Sequence, residues 1–154
     1  MQIIRAIPDD AAALTQIAFA AKRHWGYPES WIQQWSGLLT IEPQYIAAHE
    51  SYVAMMDGRI LGFYSLKTEL RELHLEHLWV LPEMMRQGFG RALFSHAVAR
   101  VKALGHASLQ IESDPNAAIF YERMGARRAG ARITETEGAS RELPLFVYEI
   151  ALNG

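Results

Sequence analysis

Between Leu73 and Leu93 the chain passes from an apolar strand-like run through Pro82 and a charged linker to Gly88-Phe89-Gly90, where an amphipathic helix pattern begins at once. A strand feeding a helix through a glycine turn belongs to an α/β domain. The first N–H groups of a helix have no partner within it and lie at the positive end of its dipole. A Gly-rich turn opening a helix therefore suits a phosphate-bearing ligand.

The remaining elements are consistent with that class. Residues 2–7 read as a strand ended by Pro8. Asp9 or Asp10 then caps a helix through about Lys22, with Ala13, Leu14, Ile17, Ala18 and Ala21 on one face. Trp31, Ile32 and Trp35 mark a second helix, and 43–49 a short third one. Asp57-Gly58 divides two strands, 51–57 and 59–67, as a hairpin turn, and a further strand covers 70–80. Helix 88–104 stops at Gly105. Strand 107–112, a helix from Asn116 to Met124, and two strands (127–135 and 144–151) around a Gly/Ser-containing loop at 138–141 complete the pass.

Size and composition narrow the function. A chain of 154 residues fits one domain spanning 1–154, with core enough to need no disulfide or metal. A net charge of −2 gives no basic field for nucleic acid or an anionic membrane. The absence of cysteine removes disulfides, thiolate metal sites and a cysteine nucleophile. No run reaches transmembrane length, and Met1 to Asp10 lacks a signal-peptide pattern, so a cytoplasmic protein is expected.

Two rival phosphate motifs fail at the glycine turn. A dinucleotide-binding turn needs a third glycine where Leu93 stands, and Gly88 lies eight residues beyond Val80 rather than directly after the strand, although Glu112 sits near the place of a ribose-binding acid. A nucleotide triphosphate loop would end in Gly-Lys-Ser/Thr, which is missing. A plain tight turn before a helix stays open as the alternative.

The segment Val80-Leu81-Pro82-Glu83-Met84-Met85-Arg86-Gln87-Gly88-Phe89-Gly90 resembles the pantetheine-pyrophosphate motif of the GNAT superfamily of acyl-coenzyme A-dependent N-acyltransferases. Met85 departs from that family's usual Arg or Gln. Asp114-Pro115-Asn116-Ala117-Ala118-Ile119-Phe120-Tyr121-Glu122-Arg123-Met124-Gly125-Ala126 is similar to the family's Asn-x-x-Ala-x-x-x-Tyr-x-x-x-Gly-Phe helix, with Ala126 in place of Phe. The order of elements matches over nearly the whole chain. The resemblance implies a single-domain α/β fold with a mixed, mostly antiparallel sheet of six to seven strands and about four helices. It further implies acetyl-CoA as co-substrate, a primary amine as acceptor, direct attack in a ternary complex, and no metal.

Roles follow residue by residue from that resemblance. Leu78, Trp79, Val80, Arg86, Gln87, Gly88, Phe89, Gly90, Arg91, Asn116 and Phe120 are expected to hold the cofactor, with oxyanion donors near Trp79 and Val80. Tyr121 falls where the family's thiolate-protonating Tyr sits; a phenol is protonated at neutral pH and can donate to a thiolate. Its alternative is a Tyr packed at a helix–sheet boundary. Asn116 is both an N-cap candidate and a pantetheine contact. For the base, strand alternation puts His74 and Glu76 on one face and His77 on the other, with Glu76 the first choice and His74 second. The same alternation rules out a metal site built from the three. His24, Trp25 and Tyr27 lie where the family walls its acceptor site, Trp31 and Trp35 are expected in the core, and Arg141 is available for an acidic group on the acceptor. The acceptor amine is expected on a small molecule, since the composition offers no basic or acidic docking surface; a protein N-terminus or lysine as acceptor, and a non-catalytic acyl-CoA sensor, remain the alternatives. Monomer and homodimer both stay open.

Overall fold

A computed structural model describes residues 1–150. Seven strands form one sheet: β1 (Gln2–Arg5), β2 (Glu50–Met56), β3 (Arg59–Glu69), β4 (Glu72–Val80), β5 (Ser108–Glu112), β6 (Arg127–Thr136) and β7 (Ala139–Glu149). Their spatial order is β1-β2-β3-β4-β5-β7-β6, antiparallel except where β4 meets β5. Six α-helices accompany them: α1 (Ala11–His24), α2 (Glu29–Gln34), α3 (Ser36–Leu39), α4 (Pro43–Ala48), α5 (Phe89–Ala103) and α6 (Ala118–Arg123).

Each face of the sheet carries its own core. α5 lays Leu93, Phe94, Ala97 and Val101, one stripe at helical spacing, against Tyr64, Leu66, Leu73, Leu75, Leu109 and Ile111. On the other face α1 offers Leu14, Ile17 and Ala18, joined by Ile32, Trp35, Leu39 and Ile46 over Val53 and Phe63. The sheet thus lies between the α1/α2 face and the α5/α6 face.

Several boundaries differ from the sequence reading. Asp57 and Gly58 both take left-handed φ (53° and 74°), the two-residue turn expected there. Glu137 and Gly138 do the same (48° and 80°), so β7 begins at Ala139 and the expected loop at 138–141 is strand. Two consecutive left-handed residues suit the twist of a tight hairpin, which makes a longer loop unnecessary. The Asp10 carboxylate accepts the Ile7 N–H (2.9 Å) and so caps a 3-10 turn, Pro8–Asp10, ahead of α1 rather than α1 itself. The helix expected from Asn116 opens likewise as a 3-10 turn, Pro115–Ala117.

Candidate active site

The sheet opens at its centre. β4 and β5 pair through Leu73–Leu109, His74–Gln110 and Leu75–Ile111 and no further, while β4 continues to Val80 and β5 turns with β7 to the Glu112–Leu145 pair. On its other side β4 stays paired with β3 to Val80. The Leu81 N–H donates to the Leu61 carbonyl (2.9 Å) on the β3 side. Backbone alternation then turns the polar groups of Leu78 and Val80 into the wedge and those of Trp79 into the β3 ladder. Of the residues expected to offer oxyanion donors, Val80 thus turns its N–H toward the wedge, as does Leu78, whereas Trp79 turns its own to β3.

At the mouth of the wedge lies the glycine turn. Arg86 and Gly88 are left-handed (φ 64° and 90°), and the turn runs directly into α5. Among the described residues no backbone acceptor meets the N–H groups of Arg86, Gln87, Gly88, Phe89, Gly90 or Arg91; Ala92 is the first to bond back, to Gly88 (3.0 Å). Convergent unpartnered amides at a helix N-terminus form an anion cradle. A Cβ on Gly90 would stand 3.4 Å from the Phe120 ring, so glycine lets the backbone approach α6 closely. The side chains contribute unevenly. Phe89 is buried in the core and offers only its N–H, while Gln87 donates to the Glu83 carbonyl (3.0 Å) within its own turn. Arg91 lines a hollow of about 330 Å3 with Phe120, Arg123 and Met124. The sequence reading names Arg123 only as part of the 114–126 motif and gives it no role; it stands in the last turn of α6.

Tyr121 projects from α6 into the α5-side core, 7% exposed, against Phe94, Phe120 and Phe146. Its phenol has no hydrogen-bond partner among the described residues. Burial, reinforced by the Asp114 carboxylate, pushes its pKa further up, which keeps the proton in place.

β4 does not alternate as a regular strand would. Ser65 faces His77 and Leu66 faces Leu75, so Glu76 is an extra residue in a β-bulge. Since Ser65 and Leu66 point to opposite faces, so do His77 and Leu75, and His77 lies on the face of His74 rather than opposite it. This overturns the expected partition. The extra residue was invisible to a period-2 count. Glu76 is exposed, and its carboxylate raises the pKa of Tyr45 (after burial) and of Lys67 (after the Glu69 hydrogen bond), both on the α1-side face. His74 lies 3.7 Å from Glu72, before the strands part. His77 accepts the Trp79 indole N–H on Nδ1 (3.0 Å), and burial lowers its pKa to about 4, so it stays neutral. Although the three side chains share one region, no group of three or more His, Asp or Glu able to hold a metal occurs among the described residues.

On the acceptor side the expected trio separates. His24 and Trp25 pack on each other at the exposed end of α1 (5.2 Å between centroids), away from Tyr27. Tyr27 turns inward to Trp31 and Trp35 (6.0 and 5.0 Å). Trp35 is core, as expected, yet borders the same cluster. At its centre is a carboxylate the sequence reading passed over. Asp114 binds Lys22 Nζ (2.5 Å), accepts the Tyr27 hydroxyl (2.9 Å) and lies 3.6 Å from Arg141. It also caps the Pro115–Ala117 turn by accepting the Asn116 N–H (2.8 Å), the role expected of Asn116. Asn116 instead donates its amide to Tyr27 Oη (3.0 Å) and Asp114 Oδ1 (2.9 Å). Burial works against the Asp114 charge, but Lys22 and these donors hold its pKa below the usual carboxylate range. Burial also lowers the Lys22 pKa despite Asp114. Lys22 continues the Leu14-Ala18 stripe of α1 at i+8, and a charge on an apolar stripe was the signal for it.

A sequence profile described as an acetyltransferase (GNAT) domain matches residues 33–140. The peptidyl-lysine N-acetyltransferase YiaC of Escherichia coli (strain K12) is 28% identical over 103 residues, 66% of each chain. The [ribosomal protein bS18]-alanine N-acetyltransferase of the same strain is 33% identical over 79 residues, 49% of this chain and 53% of that one. The matched region spans less than two thirds of either relative's length. The PaiA N-acetyltransferase of Thermoplasma acidophilum in complex with coenzyme A has the same fold, with a TM-score of 0.75 at 18% identity over 96% of this chain and 98% of that one.

Proposed function

The chain belongs to the acetyltransferase (GNAT) domain family, and on that footing we propose that it transfers an acetyl group from acetyl-CoA to the primary amine of a small molecule. The observation that carries this reading is the wedge between β4 and β5, opening onto the unpartnered amides of 86–91. The cradle takes the pyrophosphate, Arg91 and Arg123 flank it, and the pantetheine arm runs into the wedge as an additional strand against the free groups of Leu78 and Val80.

Chemistry then proceeds by direct attack. Glu76, facing the acceptor side, removes a proton from the ammonium through water, since a free alkylamine is mostly protonated at neutral pH. The neutral amine adds to the thioester carbonyl, and the Val80 N–H stabilises the oxyanion. The carbon–sulfur bond breaks as Tyr121 gives its phenolic proton to the departing thiolate, and the proton shed by the acylated nitrogen passes through water to restore the phenol. His74 lies too far down the paired part of β4 for first choice as base. No helix among the described residues is long and apolar enough to cross a membrane.

A small acceptor is favoured because Trp35 binds Thr136 (3.3 Å) while Ser30 and Gln34 bind Glu137 (3.0 and 3.1 Å), closing the α2 side against the β6–β7 hairpin. A protein lysine or N-terminal amine is the second reading, favoured by the names of the two relatives. The test follows release of coenzyme A thiol from acetyl-CoA with small amines, lysine peptides and N-terminal peptides. Turnover with peptides alone would reverse the preference, and failure to bind coenzyme A would refute the enzyme.

A further inference from the structure

We propose that Arg141, standing beside the Lys22–Asp114 pair, forms a docking site for a carboxylate on the acceptor, making the substrate a small molecule that carries both an amine and a carboxylate. This rests on the acetyltransferase reading and deepens it. Two cations face one carboxylate here: the side chains of Lys22, Arg141 and Asp114 are 11%, 10% and 8% exposed. A structural ion pair is complete with one cation. A second one held out of water is costly unless an anion arrives to match it.

The hydrogen bonding leaves the place open. Arg141 spends one donor, Nη2, on the neutral Tyr27 hydroxyl (2.9 Å) and stands 3.6 Å from Asp114. Its Nε and Nη1 groups have no partner among the described residues. The sole fully enclosed, unbonded side-chain polar atom among those residues is Ser51 Oγ, so the unbonded guanidinium donors of Arg141, though mostly buried, are not sealed off. A guanidinium with a free planar edge matches a carboxylate with two parallel hydrogen bonds. Glu137, the nearest carboxylate on the hairpin turn, is occupied by Ser30 and Gln34. Tyr27 and Trp35 brace both cations from the side, with Lys22 Nζ 5.0 and 4.5 Å and the Arg141 guanidinium carbon 5.0 and 4.6 Å from their ring centroids. The site also adjoins the chemistry, because Asn116 and the helix bearing Tyr121 start from Asp114.

The test titrates the protein, with coenzyme A present, with a panel of α-amino acids and the matching α-carboxamides, following tryptophan fluorescence. At least one acid should saturate at a concentration about tenfold or more below its amide, the discrimination expected of a charge-assisted bond. Arg141→Gln should erase that difference, and Arg141→Lys should restore part of it, with circular dichroism reporting that both variants are folded. Equal response to acid and amide, or no saturation by any acid, overturns the proposal. Calorimetry with coenzyme A alone separates the two levels: loss of that binding refutes the enzyme reading, while the acid-against-amide comparison still decides the carboxylate site.

Discussion

Leu75 and Ile111 are the last residues at which the two central parallel strands touch. Up to that pair the sheet separates the two cores completely. Beyond it the two strands no longer pair, and β4 turns the backbone groups of Leu78 and Val80 toward the gap. The proposed reaction is centred on that gap, and its consequences can be checked one residue at a time.

Tyr121→Phe removes one hydroxyl that bonds to nothing among the described residues, so the fold should be retained. If the phenol supplies the leaving-group proton, kcat should fall about 100-fold, the usual size of a lost general acid, with KM for acetyl-CoA little changed. Steady-state kinetics reads both, and an unchanged kcat would return Tyr121 to the role of packing residue.

Glu76→Gln and His74→Gln should separate cleanly. With Glu76 as base, its variant loses about 100-fold in kcat. His74→Gln should stay within about threefold of the parent, as a partly exposed residue before the wedge. The reverse order of effects would move the base to His74.

Gly88 holds φ 90° at the turn. Gly88→Val forces a β-branched side chain into a left-handed backbone and should cost about 1–2 kcal/mol in stability. Distortion of the cradle should weaken coenzyme A binding by about tenfold or more, measured by calorimetry. Unchanged affinity would mean that the amides at 86–91 do not grip the phosphates.

His77 gives a pH signature. Burial lowers its pKa from 6.5 to about 4, so between those values the unfolded chain binds more protons than the folded one. The stability present above pH 6.5 should decline as pH falls towards 4, by up to about 3 kcal/mol from this residue. Urea midpoints across that range should drop, and less steeply in His77→Gln. Equal slopes would mean that His77 is not the titrating group.

Removing the Asp114 carboxylate should be severe. Asp114→Ala leaves Lys22 and Arg141 facing each other while still largely buried, a loss of about 3–5 kcal/mol. Lys22→Met/Asp114→Asn, which removes both charges of the pair, should recover much of that stability in urea denaturation. A double variant no better than the single one would show that the ion pair is not what the fold depends on.

Much of this was legible in the sequence, for definite reasons. Gly88, Gly90 and the Asp57-Gly58 turn need left-handed or closely approached backbone, and that requirement shows in residue type. The stripes of α1 and α5 show in spacing. The bulge at Glu76 did not, because an extra residue in a strand changes register without changing composition, and it carried His77 to the other face. Nor did the Lys22–Asp114–Arg141 cluster, whose members come from three distant segments. His24 and Trp25 share with Tyr27 the segment that the resemblance assigns to the acceptor wall, but the end of α1 leaves them exposed while Tyr27 packs on Trp31 and Trp35.

The separations within that cluster have a kinetic meaning. Lys22 and Asp114 are 92 positions apart, and Tyr27 and Arg141 are 114 apart. Contacts of such long loop closure form only after the strands between them have assembled. The Lys22–Asp114–Arg141 corner, proposed to meet the acceptor, should therefore be among the last parts to mature during folding and among the first to open in the native state. Deuterium would enter the β6–β7 hairpin and the α1–α2 segment well before it reached β3 and β4. A protein that had lost this corner would still look folded by its sheet, and would already have lost its choice of substrate.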